Sequence, residues 1–172
     1  MDKILVALDG SSHADKALTL AADLARGSNA KLVLVHVISD RSFTQAEGQL
    51  AAQQNLPRAV DGIPVPSMRA SLEEAERLAQ STSEAAFAAR QAIADQILRE
   101  GEARAKAAGV GTVQCLTECG DPAAKILEIS RSESPDLLIV GSRGLSNLQG
   151  MLLGSVSRKV AHHAECTCVT VK

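Results

Sequence analysis

Tryptophan and tyrosine are absent from this 172-residue chain, and phenylalanine occurs only twice, as Phe43 and Phe87. A core without rings has to be assembled from Leu, Ile, Val and Ala, and the aromatic platforms on which single-stranded nucleic acid stacks are missing. Cysteine is scarce: Cys115, Cys119, Cys166 and Cys168 are too few and too irregularly spaced for a secreted disulfide scaffold. No apolar run approaches the roughly 20 residues that a membrane helix needs. Met1-Asp2-Lys3 leads straight into an apolar strand, without the layout of a signal peptide. Charge of one sign is missing too, since 18 Lys and Arg against 20 Asp and Glu leave a dispersed net charge of −2. That excludes a nucleic-acid footprint and a membrane-surface patch. The expectation is a cytoplasmic protein with no nucleic-acid partner and no membrane insertion.

What the chain does contain is an alternation of short apolar runs and helical periodicity. Lys3 to Leu8 reads as a buried strand ending at Asp9-Gly10-Ser11-Ser12. Ser12, with Asp15 three residues on, marks a helix start, and Ala14, Ala17, Leu18, Ala21 and Leu24 recur at helical spacing until Gly27 closes it. Lys31 to Ile38 is a second buried strand, and two buried strands joined by one helix imply a right-handed parallel crossover. Between Ser39 and about Ser71 the pattern fails, with Gln45, Gln49, Gln53, Gln54, Pro57, Pro64 and Pro66 in an aperiodic stretch. It reads as a mobile excursion over 39–71; an ordered loop with a short helix over Ala46–Gln54 is the alternative.

A helical segment resumes at Leu72, and Ser83 to Ala108 reads as a long helix with Phe87, Ile93, Ala94, Ile97 and Leu98 inward, stopping at Gly109. Gly101 inside it costs about 1 kcal/mol relative to Ala, so a kink or fray is expected there. Thr112 to Leu116 forms a third strand. Asp121 then caps, and Pro122 opens, a helix with Ala123, Ile126, Leu127 and Ser130 in phase. A continuous apolar run, Asp136 to Val140, a helix through His163 and a last strand, Thr167 to Val171, complete the tally. The expected fold class is α/β: a single open five-stranded parallel sheet with helices on both faces, in one domain over residues 1–172.

The stretch that carries chemistry follows the fourth strand: Gly141, Gly144, Gly154 and Ser155 with the spacing G-x2-G-x9-G-S, and Ser157 just beyond. A strand, a glycine loop and a helix start form an anion cradle, because glycine allows close backbone approach while free N–H groups and the helix dipole favour negative charge. Ser155 reads as the N-cap of that helix. The spacing is not a P-loop, for it lacks a Gly-Lys-Ser/Thr ending, and no G-x-G-x-x-G follows the first strand. On these residues Gly141, Gly144 and Gly154 offer backbone N–H groups to phosphates, and Ser155 and Ser157 offer hydroxyls. The plain alternative is a glycine turn and a capped helix with no ligand. Asp9, Val37 and Gly141 all fall at carboxyl ends of strands, where open parallel sheets bind ligands, so they point to one crevice.

This pattern resembles the nucleotide signature of ATP-binding universal stress proteins. Asp9 after the first strand, Gly120-Asp121-Pro122 before the third helix and a chain that stops just after its last strand are similar to that family as well. The likeness covers nearly the whole chain except a stretch near 40–85. It implies a Rossmann-like sheet of the adenine-nucleotide α-hydrolase kind and ATP as ligand, with Mg2+ as an optional bridging ion. By the same resemblance Asp9 contacts the nucleoside, the Ala7 and Val37 positions line the adenine site mostly through backbone, and Val140 and Val156 border the phosphates. The alternative for Asp9 is a charge complementing the first helix. Arg143 stands where a cation could pair with phosphate, although a solvated arginine is the default for that residue type. The resemblance further implies a regulatory role in stress response, a homodimer and an unidentified protein partner.

The last strand reads as an edge that is apolar on both faces, and its antiparallel pairing with a copy of itself is the expected dimer contact. Where the family commonly has a proline, this chain has Thr167 between Cys166 and Cys168, which leaves their thiol reactivity open. His162 to Cys168 gathers His and Cys side chains, yet one residue between the two cysteines is not structural-zinc spacing, so no metal ligands are assigned. His13 and His36 stand singly, and packing is the reading for His36. No catalytic residues are assigned: no His joins a serine nucleophile, and the paired carboxylates Glu73-Glu74 and Glu100 with Glu102 read as solvated faces. Two alternatives stay open, a slow ATP-hydrolysing or adenylating enzyme of the same superfamily, and a ligand-free or thiol–metal sensing interaction protein.

Overall fold

Continuous apolar strands have to be covered on both sides, and this chain achieves that by sending its helices to the two faces in turn. The computed structural model describes residues 1–39, 72–144 and 153–172. Its elements are β1 (Lys3–Ala7), α1 (Ser12–Ser28), β2 (Lys31–Ile38), α2 (Leu72–Ala107), β3 (Val113–Cys119), α3 (Pro122–Glu133), β4 (Leu137–Gly141), α4 (Ser155–His163) and β5 (Thr167–Val171). The strands lie in the order β3-β2-β1-β4-β5, and every neighbouring pair is parallel. This is the α/β architecture read from the sequence.

Side-chain alternation along the strands divides the core into two layers. Ile4, Val6, Leu32, Leu34, Leu137 and Ile139 pack under α1 and α2, while Leu5, Val33, Val35, Leu138 and Val140 pack under α3 and α4. The chain steps outward from β1 to β2 to β3 with α1 and α2 on one face. It then returns to the far side of β1, and α3 and α4 cover the other face. Among the described residues no helix is long and apolar enough to cross a membrane.

Several local expectations change. The N-cap of α1 is Ser11, not Ser12: its side chain accepts from the Ala14 N–H at 3.2 Å, and Ser12 is the first helical residue. The helix passes Gly27 and ends at Ser28, capped by Asn29 in the left-handed region (φ 55°). Leu24 lies 36% exposed, and Ala22 and Ala25 take the inner positions, because in so close a helix–sheet contact the alanine stripe faces the strands. Phe87 is likewise 49% exposed, whereas Ile93, Ala94, Ile97 and Leu98 are buried as expected. α2 runs without a break through Gly101, whose added Cβ would stand 2.8 Å from Leu8 Cδ1 and 3.3 Å from Leu34 Cδ1. The glycine serves close packing on the sheet, not a kink. β3 extends beyond Leu116 to Cys119, and in α3 Ile129 is buried where Leu127 is only half-buried. The 39–71 excursion, including the alternative helix over Ala46–Gln54, lies outside the described residues from residue 40 onward.

The inner and outer faces of α2 are separable by substitution. Ile93→Ala, at a position 2% exposed, is expected to cost about 2–4 kcal/mol through lost burial and a residual cavity. Phe87→Ala is expected to stay within about 0.5 kcal/mol of the parent. Urea titrations of the two variants check this; a Phe87 effect as large as that of Ile93 would move the helix face.

Candidate functional site

β1 and β4 lie side by side, yet α1 leaves β1 toward one face and the connection after β4 leads to α4 on the other. The chains part at the carboxyl ends and leave a crevice of about 340 Å³, which is within the size range of small-molecule sites. Ala7 and Asp9 reach it from β1, Val37 from β2, Val140, Gly141, Arg143 and Gly144 from β4 and its loop, and Gly154, Ser155, Val156 and Ser157 from the start of α4. All eleven residues singled out in the sequence thus line one space. Residues 145–152 of the glycine loop lie outside the described residues.

Each helix that points at the crevice begins differently. The Asp121 side chain accepts from the Ala124 N–H at 3.0 Å and closes the first turn of α3, with Pro122 at its first position. α4 has Gly154, not Ser155, as its N-cap, and among the described residues no side chain caps it. The N–H groups of Ser155, Val156 and Ser157 in its first turn have no intrahelical acceptor, so this end of the helix is a donor surface with a positive dipole. Ser155 is exposed there.

Two donors expected at a phosphate are engaged within the protein instead. The Gly154 N–H donates to the Ser142 carbonyl at 2.7 Å, and the Ser157 hydroxyl donates to the Gly141 carbonyl at 2.7 Å. These bonds close the loop on itself, and the Ser142 N–H ties it to the Val171 carbonyl of β5 at 2.6 Å.

The three glycines meet different neighbours. A Cβ on Gly141 would come within 2.8–2.9 Å of the His13 carbonyl carbon, the Ala14 nitrogen and His13 Cβ, so this glycine lets β4 abut the start of α1. A Cβ on Gly144 would stand 2.6 Å from Asp9 Oδ2. Gly154 is unlike both. Its backbone is extended (φ −68°, ψ 162°), which any residue adopts, and the nearest atoms to an added Cβ are at 3.6 Å, an ordinary contact. Nothing in the described fold requires glycine at 154.

Sequence reasoning missed other lining residues: His36, Ser39, Asp121, Pro122, Ala123, Ile126 and Lys159. Lys159 was legible, since it lies four residues after Ser155 and so on the same helix face. Asp121 was read as a cap, which it is, and its second role as a wall of the crevice depends on where α3 packs. Cys166 and Cys168 pack with the α3–α4 layer on one face, as their spacing implies, and both are half-buried, away from the crevice.

Comparison with known proteins gives one family. The profile of the Universal stress protein family matches residues 1–63 and 49–172. Universal stress protein YxiE of Bacillus subtilis is 29% identical over 99% of this chain and 99% of its own length. A universal stress protein crystallised in complex with cAMP is 25% identical, with a TM-score of 0.58 over 99% of this chain and 95% of that one. Universal stress protein UspA from Lactobacillus plantarum, at 19% identity, shares the fold with a TM-score of 0.66 over 99% and 97% of the two chains.

Asp9 is the electrostatic centre of the crevice. Burial holds its carboxyl above the ordinary carboxylate range, while bonds from Ser11, including the Ser11 N–H to Oδ1 at 3.0 Å, and the nearby His36 draw it part of the way back. A raised carboxyl contributes stability that is fully present below its unfolded value of about 3.9 and is lost as the pH rises through the folded value. Ionised Asp9 therefore costs the fold stability near neutrality. Asp9→Asn keeps an acceptor for Ser11, and it is expected to melt above the nucleotide-free parent at pH 7, with the gap closing toward pH 4. Thermal melts across that range check the sign, and a parent that melts higher at pH 7 would reverse it.

Proposed function

Because the chain belongs to the universal stress protein family, we propose that it is an adenine-nucleotide-binding regulatory protein of the stress response that holds ATP in the crevice between β1 and β4. The observation that carries this reading is the start of α4. Among the described residues its first turn has no side-chain cap, it opens on the crevice, and a glycine that the described fold does not require stands at its N-cap. A phosphate seated on those N–H groups would supply the missing partner and account for Gly154, since a side chain there would occupy its place. The relative crystallised with cAMP supports an adenine nucleotide as the ligand class.

In this reading Ser155, Val156 and Ser157 meet the phosphates through backbone N–H groups, with the Ser155 hydroxyl added. Arg143 and Lys159 supply positive charge at the rim. Asp9 accepts from the nucleoside hydroxyls, and the Ala7 and Val37 positions border the base. When present, Mg2+ would neutralise phosphate charge, and Asp9 is the lining carboxylate that would serve it, because Asp121 is committed to capping α3. A site built from backbone donors favours the bound ground state, so holding the nucleotide rather than turning it over is the proposed activity.

Assembly follows from the sheet. Among the described residues β5 is an edge strand paired on one side only, with β4. We assign its free side to an antiparallel contact with a second copy, giving a cytoplasmic homodimer. Sedimentation of the purified chain is expected to give a dimer, and a monomer throughout the micromolar range would remove this part of the reading.

The ligand is tested by titration calorimetry with ATP. Gly154→Val fits the extended backbone of its site and is expected to fold and to lose measurable binding. Ser155→Ala removes one hydroxyl from a charged partner, about 1.5–3 kcal/mol or roughly ten- to hundred-fold in affinity. Gly141→Ala is the contrasting control, expected to lower the melting temperature because its Cβ meets backbone of α1. Since the chain has no Trp or Tyr, a co-purified nucleotide would dominate its ultraviolet absorbance. A folded Gly154→Val protein that binds ATP as tightly as the parent would take the phosphate off α4.

A further inference from the structure

The crevice opens at a fork. β1 and β2 stay paired only as far as Ala7 and Val35, whereas β2 and β3 continue together to Ile38 and Cys119. At that fork, in a run that is otherwise apolar from Leu32 to Ile38, stands His36, 4% exposed. A buried imidazole is costly unless its N–H finds a partner. Here the ring Nδ1–H donates to the Leu8 carbonyl at 2.8 Å, while the Leu8 N–H donates to the Val35 carbonyl, also at 2.8 Å. Leu8 is thus held to β2 through both its N–H and its carbonyl, one residue before Asp9. A side chain has taken over from the strand ladder at the place where β1 departs.

Beyond that point Asp9 Oδ1 accepts from the Ser11 N–H, and a Cβ added at Gly144 would meet Oδ2 at 2.6 Å. The carboxyl is therefore held from ahead by Ser11 beside a position that only glycine leaves open, and the Leu8–Asp9 peptide sets the direction from which it enters. We propose that His36 is a positioning residue for nucleotide binding, acting through the Leu8 carbonyl to fix where the Asp9 carboxylate stands at the crevice. This rests on the nucleotide reading above. His36 is distinguished from a residue that merely fills the core by its donor: a side chain of similar bulk without an N–H should preserve the packing and lose the aim.

The test uses His36→Leu, which fills the space without a donor, and His36→Asn, whose side-chain N–H is attached at the same branch point as Nδ1. His36→Val serves as the second apolar variant if leucine does not fold. ATP calorimetry, melting curves and amide NMR spectra of the nucleotide-free proteins are recorded for each, and for Asp9→Asn alone and combined with His36→Leu. The apolar variant is expected to melt no lower than the Asn variant yet to bind ATP about tenfold more weakly, as the loss of one aligned bond implies, with Asn close to the parent. The Asp9, Gly10 and Ser11 amide signals should move in the apolar variant and return in the Asn variant. In the Asp9→Asn background the leucine should add little further loss. Equal affinity of the parent and the apolar variants, or a leucine loss that persists undiminished without the Asp9 carboxylate, overturns the positioning role alone. A parent that takes up no ATP overturns the nucleotide reading and this proposal with it, whatever the amides do.

Discussion

The divergence of β1 and β4 is the constraint on which the upper half of the molecule depends. Two parallel strands held in register by the sheet must send their chains to opposite faces, since each face needs helices to cover apolar side chains. What stands between them is a crevice walled by strand ends, the glycines at 141, 144 and 154, and the starts of α1, α3 and α4. The absence of aromatic residues sharpens this. With only aliphatic side chains and many alanines to pack, the layers meet closely at two glycines: Gly101 lets α2 settle against Leu8 and Leu34, and Gly141 lets β4 abut the start of α1.

The fold was legible because burial on both faces writes continuous apolar strands, and strand order then follows from where the helices go. What periodicity could not decide was the edge of each apolar stripe. Leu24 and Phe87 satisfy a helical spacing as well as their buried neighbours do, yet the inner side of α1 is the one that allows closest approach, and alanine wins it. Caps slipped by one residue for a related reason: Ser11 and Ser12 are equally good by type, and only the extended backbone at Ser11 lets its oxygen reach the Ala14 N–H. Ser155 has the right chemistry for a cap, but Gly154 occupies that place because its N–H closes the loop onto Ser142.

The candidate site was more legible than its internal wiring. Eleven residues named from strand ends and glycine spacing line one crevice, because carboxyl ends of parallel strands share one rim by topology alone. Nothing in a linear spacing says which donors are spent within the protein. The Gly154 N–H and the Ser157 hydroxyl both are, and the donors left over belong to the helix backbone that follows. His36 escaped notice as a part of the site because its partner is a main-chain carbonyl 28 residues away in sequence.

Asp9 shows how the parts conflict and why they are arranged as they are. A carboxyl pressed between Ser11 and Gly144 is disfavoured in its charged form by burial, so the fold alone would be better served by a neutral side chain. The surroundings nevertheless lean toward the charge: the Ser11 N–H donates to it, and the imidazole of His36 lies nearby. Those groups lessen the cost without removing it, which leaves an acceptor held in place whose charge the fold alone disfavours. Such a group gains most from a ligand that brings its own donors. Lining the same crevice, the first turn of α4 presents N–H donors that have no intrahelical acceptor. A molecule that carries hydroxyl donors at one end and anionic oxygens at the other answers both deficits at once, and a nucleotide is a molecule of that form.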